Sequence, residues 1–377
     1  MAHILHLGKF YPPELGGIES VTYSLANGAS QRNHSVSVLC FTTGDSSSAH
    51  SGSTTVIRTS EKTSIASQPL SFQYLTTGIH LSRTADIIHM HAPNMLAALI
   101  CILAPSNVKI VVHWHSDVIG KGALFKLTRP LETALLRRAD HIICTSDAYA
   151  KGSASIRPHI HKSSVVPIGV APPKLDRNFD QVAASNSPLL RTIGTRPVVL
   201  CVGRLVPYKG YSVLIDAAKL MNEDAAIVIV GGGPLASSLR ENIRAHGVED
   251  RVILAGRLNE PSLQLLFSKA QIFCLPSVER SEAFGVVLIE AMSWGLPIVT
   301  TNIPGSGVPW VNSHLESGIN VNPNEPQELA SALDKLLSDE TLRLRLAGGA
   351  HARFNAMFTE EQSVESVLNI YSKLLSK

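Results

Sequence analysis

A chain of 377 residues is too long for one ordinary domain, and 45% hydrophobic with 17% charged residues excludes a largely disordered protein. Residues 1–175 carry 15 Lys and Arg against 9 Asp and Glu (+6) and the remainder 18 against 21 (−3), so the first half is expected to meet an anionic partner. Aromatic residues, at 5%, are too few and too scattered to indicate nucleic-acid binding, and no apolar run reaches the roughly 18 residues that cross a bilayer.

Short β-branched runs alternate with helical patterns along the chain, which is typical of parallel α/β sheets. The N-terminal residues lack a basic stretch followed by a long apolar one, so they predict a first strand and not a signal peptide. Ile18, Val21, Leu25 and Ala29 recur at three- and four-residue steps and predict a buried helix face. In this half we predict strands at residues 3–8, 35–41, 54–59, 86–91, 108–114, 140–145 and 164–167.

The pattern changes after residue 170. Residues 171–196 hold prolines and polar residues without clear periodicity, which predicts a linker. The alternation then resumes up to residue 358, and residues 359–377 predict one amphipathic helix that returns to the first domain. The strands predicted in the second half are residues 197–203, 225–231, 251–256, 271–276 and 297–301.

The cysteines and two pairs of histidines predict no metal site. No two cysteines have the spacing of a zinc or redox motif, so we expect buried thiols in a reducing cytoplasm. The pairs His89/His91 and His159/His161 alternate, but no Cys or acidic partner completes a ligand set, which favours strand-end or surface histidines. The cysteines are Cys40, Cys101, Cys144, Cys201 and Cys274.

Polar residues after the strands deserve the closest inspection, because ligands of open parallel sheets bind beyond the carboxyl ends of the strands. Gly16 and Gly17 follow the first strand and open a helix. Their backbone and the helix N-terminus outline a phosphate cradle, although paired glycines also occur in plain turns. Arg204 and Lys209 follow the first strand of the second half and can neutralise a diphosphate without a metal; a solvated basic loop is the alternative.

The segment from Ser281 to Met292 is the most specific pattern. Glu282 and Glu290 stand eight residues apart around Gly285, at the predicted start of a helix. Glu290 falls among apolar residues, where an unpaired charge is costly, so it should accept hydrogen bonds; ribose hydroxyls are suitable donors. A structural ion pair is the alternative. Residues 231–234 lack the Walker lysine and the dinucleotide glycine spacing, and they predict a turn near a nucleotide base, which Arg257 can also approach.

The Gly16–Gly17 loop, the Arg204-to-Lys209 loop and the Glu282/Glu290 element, in this order, closely resemble the family 4 retaining glycosyltransferases. The resemblance covers nearly the whole chain. It implies the GT-B fold, which is two Rossmann-like parallel-sheet domains with an interdomain cleft. Residues 1–170 would bind the acceptor and residues 197–358 the nucleotide sugar.

The resemblance also implies roles for single residues. Glu290 would hold the ribose, and Glu282 would contact hydroxyls of the donor sugar, with amides of Phe284 and Gly285 nearby. Arg204 and Lys209 would bind the diphosphate, aided by Gly16 and Gly17. His115, after a strand end, matches the histidine beside the reacting sugar and is favoured over His113, which is expected to point back into the sheet.

The implied reaction is hexosyl transfer from a nucleotide diphosphate sugar to a glycan or polyprenyl-diphosphate-linked acceptor, without a metal or other cofactor. The motifs look most like those of bacterial O-antigen and exopolysaccharide enzymes, which favours mannose from GDP-mannose. The alternatives are a UDP-sugar-dependent transferase, a sugar-nucleotide epimerase or hydrolase on the same fold, and an inactive binding subunit. Turnover without an acceptor would indicate the epimerase or hydrolase, and absence of any donor turnover the binding subunit.

One stretch predicts reversible docking on an anionic membrane, which would place a cytoplasmic enzyme on the inner face of the plasma membrane. Five basic residues could each contribute roughly 1 kcal/mol near an anionic leaflet. Leucines that face the sheet beneath a solvated basic side are the alternative. The basic residues are Lys121, Lys126, Arg129, Arg137 and Arg138, and the apolar ones Leu124, Phe125, Leu127, Leu131, Leu135 and Leu136.

Overall fold

The structure is a computed structural model that describes residues 1–14, 16–65, 68–118, 122–173 and 188–376, without the side chains of residues 51, 65 and 122–128. The chain divides into two compact units. The first comprises Met1–Val170 together with Thr359–Lys377, and the second comprises Ala171–Phe358.

The first unit is built on an eight-stranded sheet of order β10-β9-β8-β7-β1-β2-β4-β3. All paired neighbours are parallel except β3 and β4, and the central strands β1, β2, β7, β8 and β9 are almost wholly buried, as expected when helices cover both faces. The strands are β1 (His3–Leu7), β2 (Ser35–Thr42), β3 (Ser47–Ser51), β4 (Thr54–Ser60), β7 (Ile87–Ala92), β8 (Lys109–Trp114), β9 (His141–Cys144) and β10 (Ser163–Val165), with a separate hairpin of β5 (Thr63–Ile65) and β6 (Gln68–Leu70).

The helices of this unit begin at polar caps or glycines. Ser71, Asn94 and Ser146 accept hydrogen bonds from backbone amides at three helix starts, which satisfies donors that would otherwise be unpaired. None of the helices in the described part of the chain is long and apolar enough to cross a bilayer. The helices are α1 (Gly17–Gln31), α2 (Phe72–Ser82), α3 (Met95–Leu103), α4 (Gly122–Arg138), α5 (Asp147–Gly152) and, from the C-terminal segment, α14 (Glu360–Leu375), besides a 3₁₀ turn at Arg157–Lys162.

The second unit has a six-stranded parallel sheet of order β13-β12-β11-β14-β15-β16, the Rossmann order 3-2-1-4-5-6. Its strands are β11 (Val198–Val202), β12 (Ala226–Val230), β13 (Val252–Gly256), β14 (Ile272–Leu275), β15 (Ile298–Thr301) and β16 (Gly318–Val321). Its helices are α6 (Pro188–Ile193), α7 (Tyr211–Leu220), α8 (Ala236–His246), α9 (Glu260–Lys269), α10 (Val286–Ser293), α11 (Val308–Val311), α12 (Pro326–Ser338) and α13 (Glu340–Met357), with a 3₁₀ turn at Pro207–Lys209.

Each strand predicted from sequence is present, so the α/β class with two Rossmann-like parallel sheets is confirmed. The prediction missed β3, β5, β6 and β16. Strand β3 is an exposed serine-rich edge strand that turns back at Gly52, and it lacks the apolar run that marks buried strands. Within the segment predicted as a linker, 171–196, residues 188–193 form α6, and residues 174–187 lie outside the described residues. The five cysteines are buried and unpaired as expected.

Candidate functional site

Two loops meet in the second unit at the point where the strand order reverses. Strands β11 and β14 are neighbours although 69 residues lie between them in the sequence, so the loops that follow them share one sheet edge. The Val278 amide donates to the Tyr208 carbonyl at 2.8 Å. Gly210, at φ 67°, adopts the left-handed conformation, and a Cβ there would collide with the Pro276 carbonyl, so only glycine allows this approach. Such a reversal is where open α/β sheets bind ligands.

Lys209 and Glu282 form an ion pair at this edge. Lys209 Nζ lies 2.5 Å from Glu282 Oε2, and each residue is only 8% exposed. The Ser277 hydroxyl donates to the same carboxylate oxygen at 3.0 Å. Burial lowers the pKa of Lys209, but Glu282, Tyr208 and Glu290 together outweigh it, so the pKa lies above its ordinary value and the ammonium stays charged. A buried pair of this kind holds two charges ready for a polar ligand.

Helix α10 begins beside this ion pair. Its cap, Gly285, has φ 80°, a left-handed conformation that suits glycine. Within the described residues, neither the Phe284 nor the Gly285 amide donates a hydrogen bond, so both can bind a ligand oxygen. The Phe284 ring packs edge-on against Phe358, with centroids 6.1 Å apart, and thereby fixes the backbone next to Glu282.

Glu290 lies in the second turn of α10 and is partly buried. Burial, followed by the charge of Glu260, raises its pKa to about 7, although Lys209 partly opposes the rise. The carboxyl is therefore close to half ionised at neutral pH. Hydroxyl groups that donate to the ionised form would lower this pKa on binding.

Arg204 and Arg257 are both exposed in the second unit, after β11 and β13. Arg257 lies against Gly232, in the glycine turn after β12. The two guanidinium groups therefore lie at the carboxyl ends of the neighbouring strands β11, β12 and β13: Arg204 follows β11, and Arg257 follows β13 and contacts the turn after β12. Both are accessible to a ligand.

The Gly16–Gly17 segment caps α1 in the first unit. The Glu19 carboxylate folds back over this helix end, so that a Cβ on Gly16 would collide with it. Burial raises the pKa of Glu19, while a hydrogen bond from its own backbone amide lowers it. An acidic group here is stabilised by the helix dipole. A phosphate at this position would share the helix end with Glu19.

His115 belongs to a cluster of five buried histidines in the first unit. Its Nε2 lies 3.0 Å from His91 Nδ1, and His91 Nε2 lies 3.2 Å from His6 Nδ1. A second chain joins Tyr371 of α14, His89 and His113, at 2.5 and 3.2 Å. The residues converge because β1, β7 and β8 are adjacent and histidines two apart share a sheet face.

Burial keeps all five histidines neutral. It lowers the pKa of His6 and of His115 to about 3, and lowers those of the other three well below the ordinary value. The sequence prediction overlooked that His113 stands next to His89 and His91, with ligand atoms within 4.8 Å of one another. Because the rings of His89 and His91 lie within 26° of parallel, and those of His91 and His113 within 23°, their lone pairs do not converge on one ion. The geometry is that of hydrogen-bonded, stacked rings.

The basic stretch around α4 is only partly available to a membrane. Leu135 and Leu136 are buried, as the alternative interpretation predicted, and Arg138 bonds to Asp140 and to two carbonyl oxygens. Arg129 and Arg137 are exposed. Lys121 and the side chains of residues 122–128 lie outside the described residues. With its C-terminal segment included, the first unit has 16 Lys and Arg against 12 Asp and Glu, a net charge of +4.

Several site residues were not predicted from sequence. Ser277 lies only five residues before Glu282, but no pattern in this segment shows that the chain after β14 turns the Ser277 hydroxyl onto the carboxylate. Glu19 stands at the third helical position after Gly16, where an acidic residue commonly stabilises a helix start, so this signal was available. His6 and His91 sit in strands whose spatial order the sequence did not give.

The chain is similar to two described protein families and to known proteins. The family described as "Glycosyltransferase Family 4" matches residues 15–172, and "Glycosyl transferases group 1" matches residues 188–353. The chain is 30% identical over 374 residues to O-antigen chain mannosyltransferase C of Escherichia coli, covering 99% of this chain and 98% of that one. It is 31% identical to D-rhamnosyltransferase WbpZ of Pseudomonas aeruginosa, covering 94% and 92%.

Solved structures show the same fold. Sucrose-phosphate synthase from Thermosynechococcus elongatus superposes with a TM-score of 0.79 at 20% identity, over the whole of both chains. HepE from Anabaena, solved with UDP, gives a TM-score of 0.78 at 20% identity, over 98% of this chain and 99% of that one.

Proposed function

The chain belongs to the family 4 glycosyltransferases with the GT-B fold, and from this we propose that it is a retaining hexosyltransferase of bacterial surface polysaccharide synthesis. Its donor is GDP-mannose and its acceptor a glycan or lipid-linked glycan. The main support for a donor-binding site in the second unit is the Lys209–Glu282 ion pair, which lies where the strand order of the sheet reverses. The choice of mannose as the donor sugar is supported by 30% identity to a mannosyltransferase over nearly the full chain.

The charges supply the mechanism. Cleavage of the sugar–phosphate bond leaves negative charge on the diphosphate and positive charge on the sugar ring. Lys209 and Arg204 stabilise the diphosphate, and the amides of Phe284 and Gly285 offer two further donors. Glu282 accepts hydrogen bonds from the sugar and favours the cationic ring. The acceptor hydroxyl attacks from the face that the diphosphate leaves and gives its proton to the departing phosphate oxygen.

A donor panel tests the proposal. GDP-mannose should raise the melting temperature and be hydrolysed slowly or transferred, whereas the UDP-, ADP- and TDP-sugars should do less. Similarity to a D-rhamnosyltransferase makes D-rhamnose a second candidate for the transferred sugar, so nucleotide-activated D-rhamnose belongs in the panel. Stabilisation by UDP and not by GDP would contradict the proposed donor, and donor turnover that ignores every acceptor would favour an epimerase or hydrolase.

Turnover should survive a chelator, because the two basic residues supply the positive charge that neutralises the diphosphate, a role that a metal ion would otherwise have. The measurement is sugar transfer with and without EDTA. Loss of activity that magnesium or manganese restores would contradict this expectation. Replacing Arg204 and Lys209 together by Ala should weaken donor binding and slow the chemical step.

Glu290→Gln should stabilise the ligand-free protein above pH 7. A folded-state pKa of about 7 against an ordinary 4.5 means that ionisation costs stability as pH rises through this window. The variant should gain roughly 1–2 kcal/mol at pH 8 and nothing near pH 4.5, with allowance for solvent at this partly buried side chain. Melting temperatures at both pH values provide the measurement, with Glu241→Gln, an exposed glutamate of the same unit, as the control. An equal gain at both pH values would show that ionisation is not the cause.

The first unit should bind anionic vesicles through charge alone. Arg129→Glu with Arg137→Glu should abolish sedimentation with vesicles of anionic lipid at low salt, because both side chains are exposed and can face the lipid. Lys219→Glu with Lys269→Glu, exposed residues of the second unit, form the matched control. Salt should release the protein. Equal binding to neutral and anionic lipid, or no binding at low salt, would remove the case for a membrane-facing unit.

A further inference from the structure

The buried histidines form two hydrogen-bonded chains that end differently. The chain from His6 through His91 reaches His115, which is the most exposed of the five at 6%. The other chain, which runs from Tyr371 through His89 to His113, ends inside the unit. At the closed ends, His6 Nε2 and His113 Nε2 are buried and have no hydrogen-bond partner among the residues that the structure describes.

The ring protons of His6, His91 and His115 can be placed in two ways along their hydrogen-bonded series. A neutral imidazole has one N–H group and one bare nitrogen, so each ring that donates at one nitrogen accepts at the other. If His115 donated from Nε2 to His91, then His91 would donate to His6, and His6 Nε2–H would be a buried donor without an acceptor. In the reverse arrangement His6 Nε2 is bare, His6 donates to His91, and His91 donates to His115.

The second arrangement is favoured by the environment of His6. Buried N–H groups without acceptors are rarer in proteins than acceptors with spare lone pairs, and His6 is fully buried. With Nε2 accepting from His91, the proton of His115 must lie on Nδ1. No bond within the described residues uses His115 Nδ1, which leaves it for a ligand.

We propose that the His6–His91–His115 chain fixes His115 as the Nδ1-protonated tautomer, so that His115 donates a hydrogen bond to a hydroxyl oxygen of the bound sugar. His91 is then a positioning residue: it never touches the sugar but sets the orientation and the donor character of His115. The role toward sugar rests on the proposed function, whereas the tautomer of the free protein does not.

The tautomer is tested on the ligand-free, full-length protein. Long-range ¹H–¹⁵N correlation spectra of histidine-labelled protein at pH 7.5 distinguish a protonated from a bare ring nitrogen, and His115→Phe identifies the His115 signals. We expect a protonated Nδ1 and a bare Nε2 for His115. A protonated Nε2, or rapid exchange between both forms, would overturn the proposal.

Kinetics test the positioning role. In His91→Phe, kcat for transfer should fall on the order of 10- to 100-fold, because a displaced catalytic contact is that costly, while the donor KM changes little. His91→Gln, whose amide can still donate to His115, should recover most of the loss. His113→Phe is the matched control. His113 also stacks on His115, with ring centroids 4.2 Å apart, but its hydrogen bond is to His89, in the series that begins at Tyr371.

The possible results of these experiments distinguish a positioning role of His91 from a role in packing alone. Equal losses in His91→Phe and His113→Phe would mean that the cluster only packs, and would overturn the positioning role. If His91→Phe does not fold, as judged by circular dichroism, the spectra of the wild-type protein still test the tautomer of His115, and the kinetics of His91→Gln still test the positioning role. Absence of sugar transfer by the wild-type protein with every donor would refute the proposed function and leave the tautomer result intact.

Discussion

Acidification to about pH 5 is expected to unfold the first unit cooperatively. Burial lowers the pKa of all five clustered histidines, to about 3 for His6 and His115, against 6.5 in the unfolded chain. Between these values the unfolded state binds protons that the folded state does not, so stability is complete above pH 6.5 and is lost as pH falls. Each group costs about 1.4 kcal/mol per pH unit. His6 and His115 alone cost about 4 kcal/mol by pH 5, and the other three histidines add to this loss in the same direction, so the total becomes comparable with the whole stability of a domain.

Tryptophan fluorescence follows this transition in one unit. Trp114 lies in β8 between two of the histidines, while Trp294 and Trp310 lie in the second unit, so the Trp294→Phe/Trp310→Phe protein reports on the first unit alone. Replacing His89 and His113 by Phe should reduce the number of protons taken up on unfolding by two and move the midpoint to lower pH. A wild-type midpoint below pH 4, or one that this double replacement leaves unmoved, would contradict the expectation.

Separating Lys209 from Glu282 should affect stability and catalysis in different ways. Glu282→Gln leaves a buried, unpaired ammonium and should cost about 3–5 kcal/mol of stability, as should Lys209→Met, which leaves the carboxylate. The double variant removes both charges and should recover most of that loss. Transfer should fall on the order of 10²–10³ in each single variant and should not recover in the double variant.

Nucleoside diphosphate binding distinguishes the two roles. Glu282→Gln should keep it, because the freed Lys209 ammonium can pair with phosphate, whereas Lys209→Met should weaken it. Thermal melts, calorimetry and transfer assays on the three variants provide the measurements. A Glu282→Gln protein that transfers sugar at more than half the wild-type rate would refute the role given to this carboxylate, and a double variant no more stable than the singles would mean that the pair does not behave as a unit.

Local pattern was enough to predict the elements and the residues to inspect. Apolar runs predicted every strand of the two sheets except β3 and β16, since a strand buried on both faces is apolar along its length. The Arg204-to-Lys209 loop and the Glu282/Glu290 spacing are continuous in sequence, so their resemblance to family 4 glycosyltransferases could be recognised without coordinates.

The sequence alone determined that this protein is a two-sheet α/β chain of a glycosyltransferase family, with charged residues after particular strands. The tertiary structure alone decided which strands are neighbours: β11 beside β14, which joins Lys209 to Glu282 across 73 residues, and β1, β7 and β8 side by side, which gathers the five histidines. It also turned Leu135 and Leu136 inward. The physical reason is that uniformly apolar strands encode burial but not their partners; these are selected by packing and crossover connections over the whole domain.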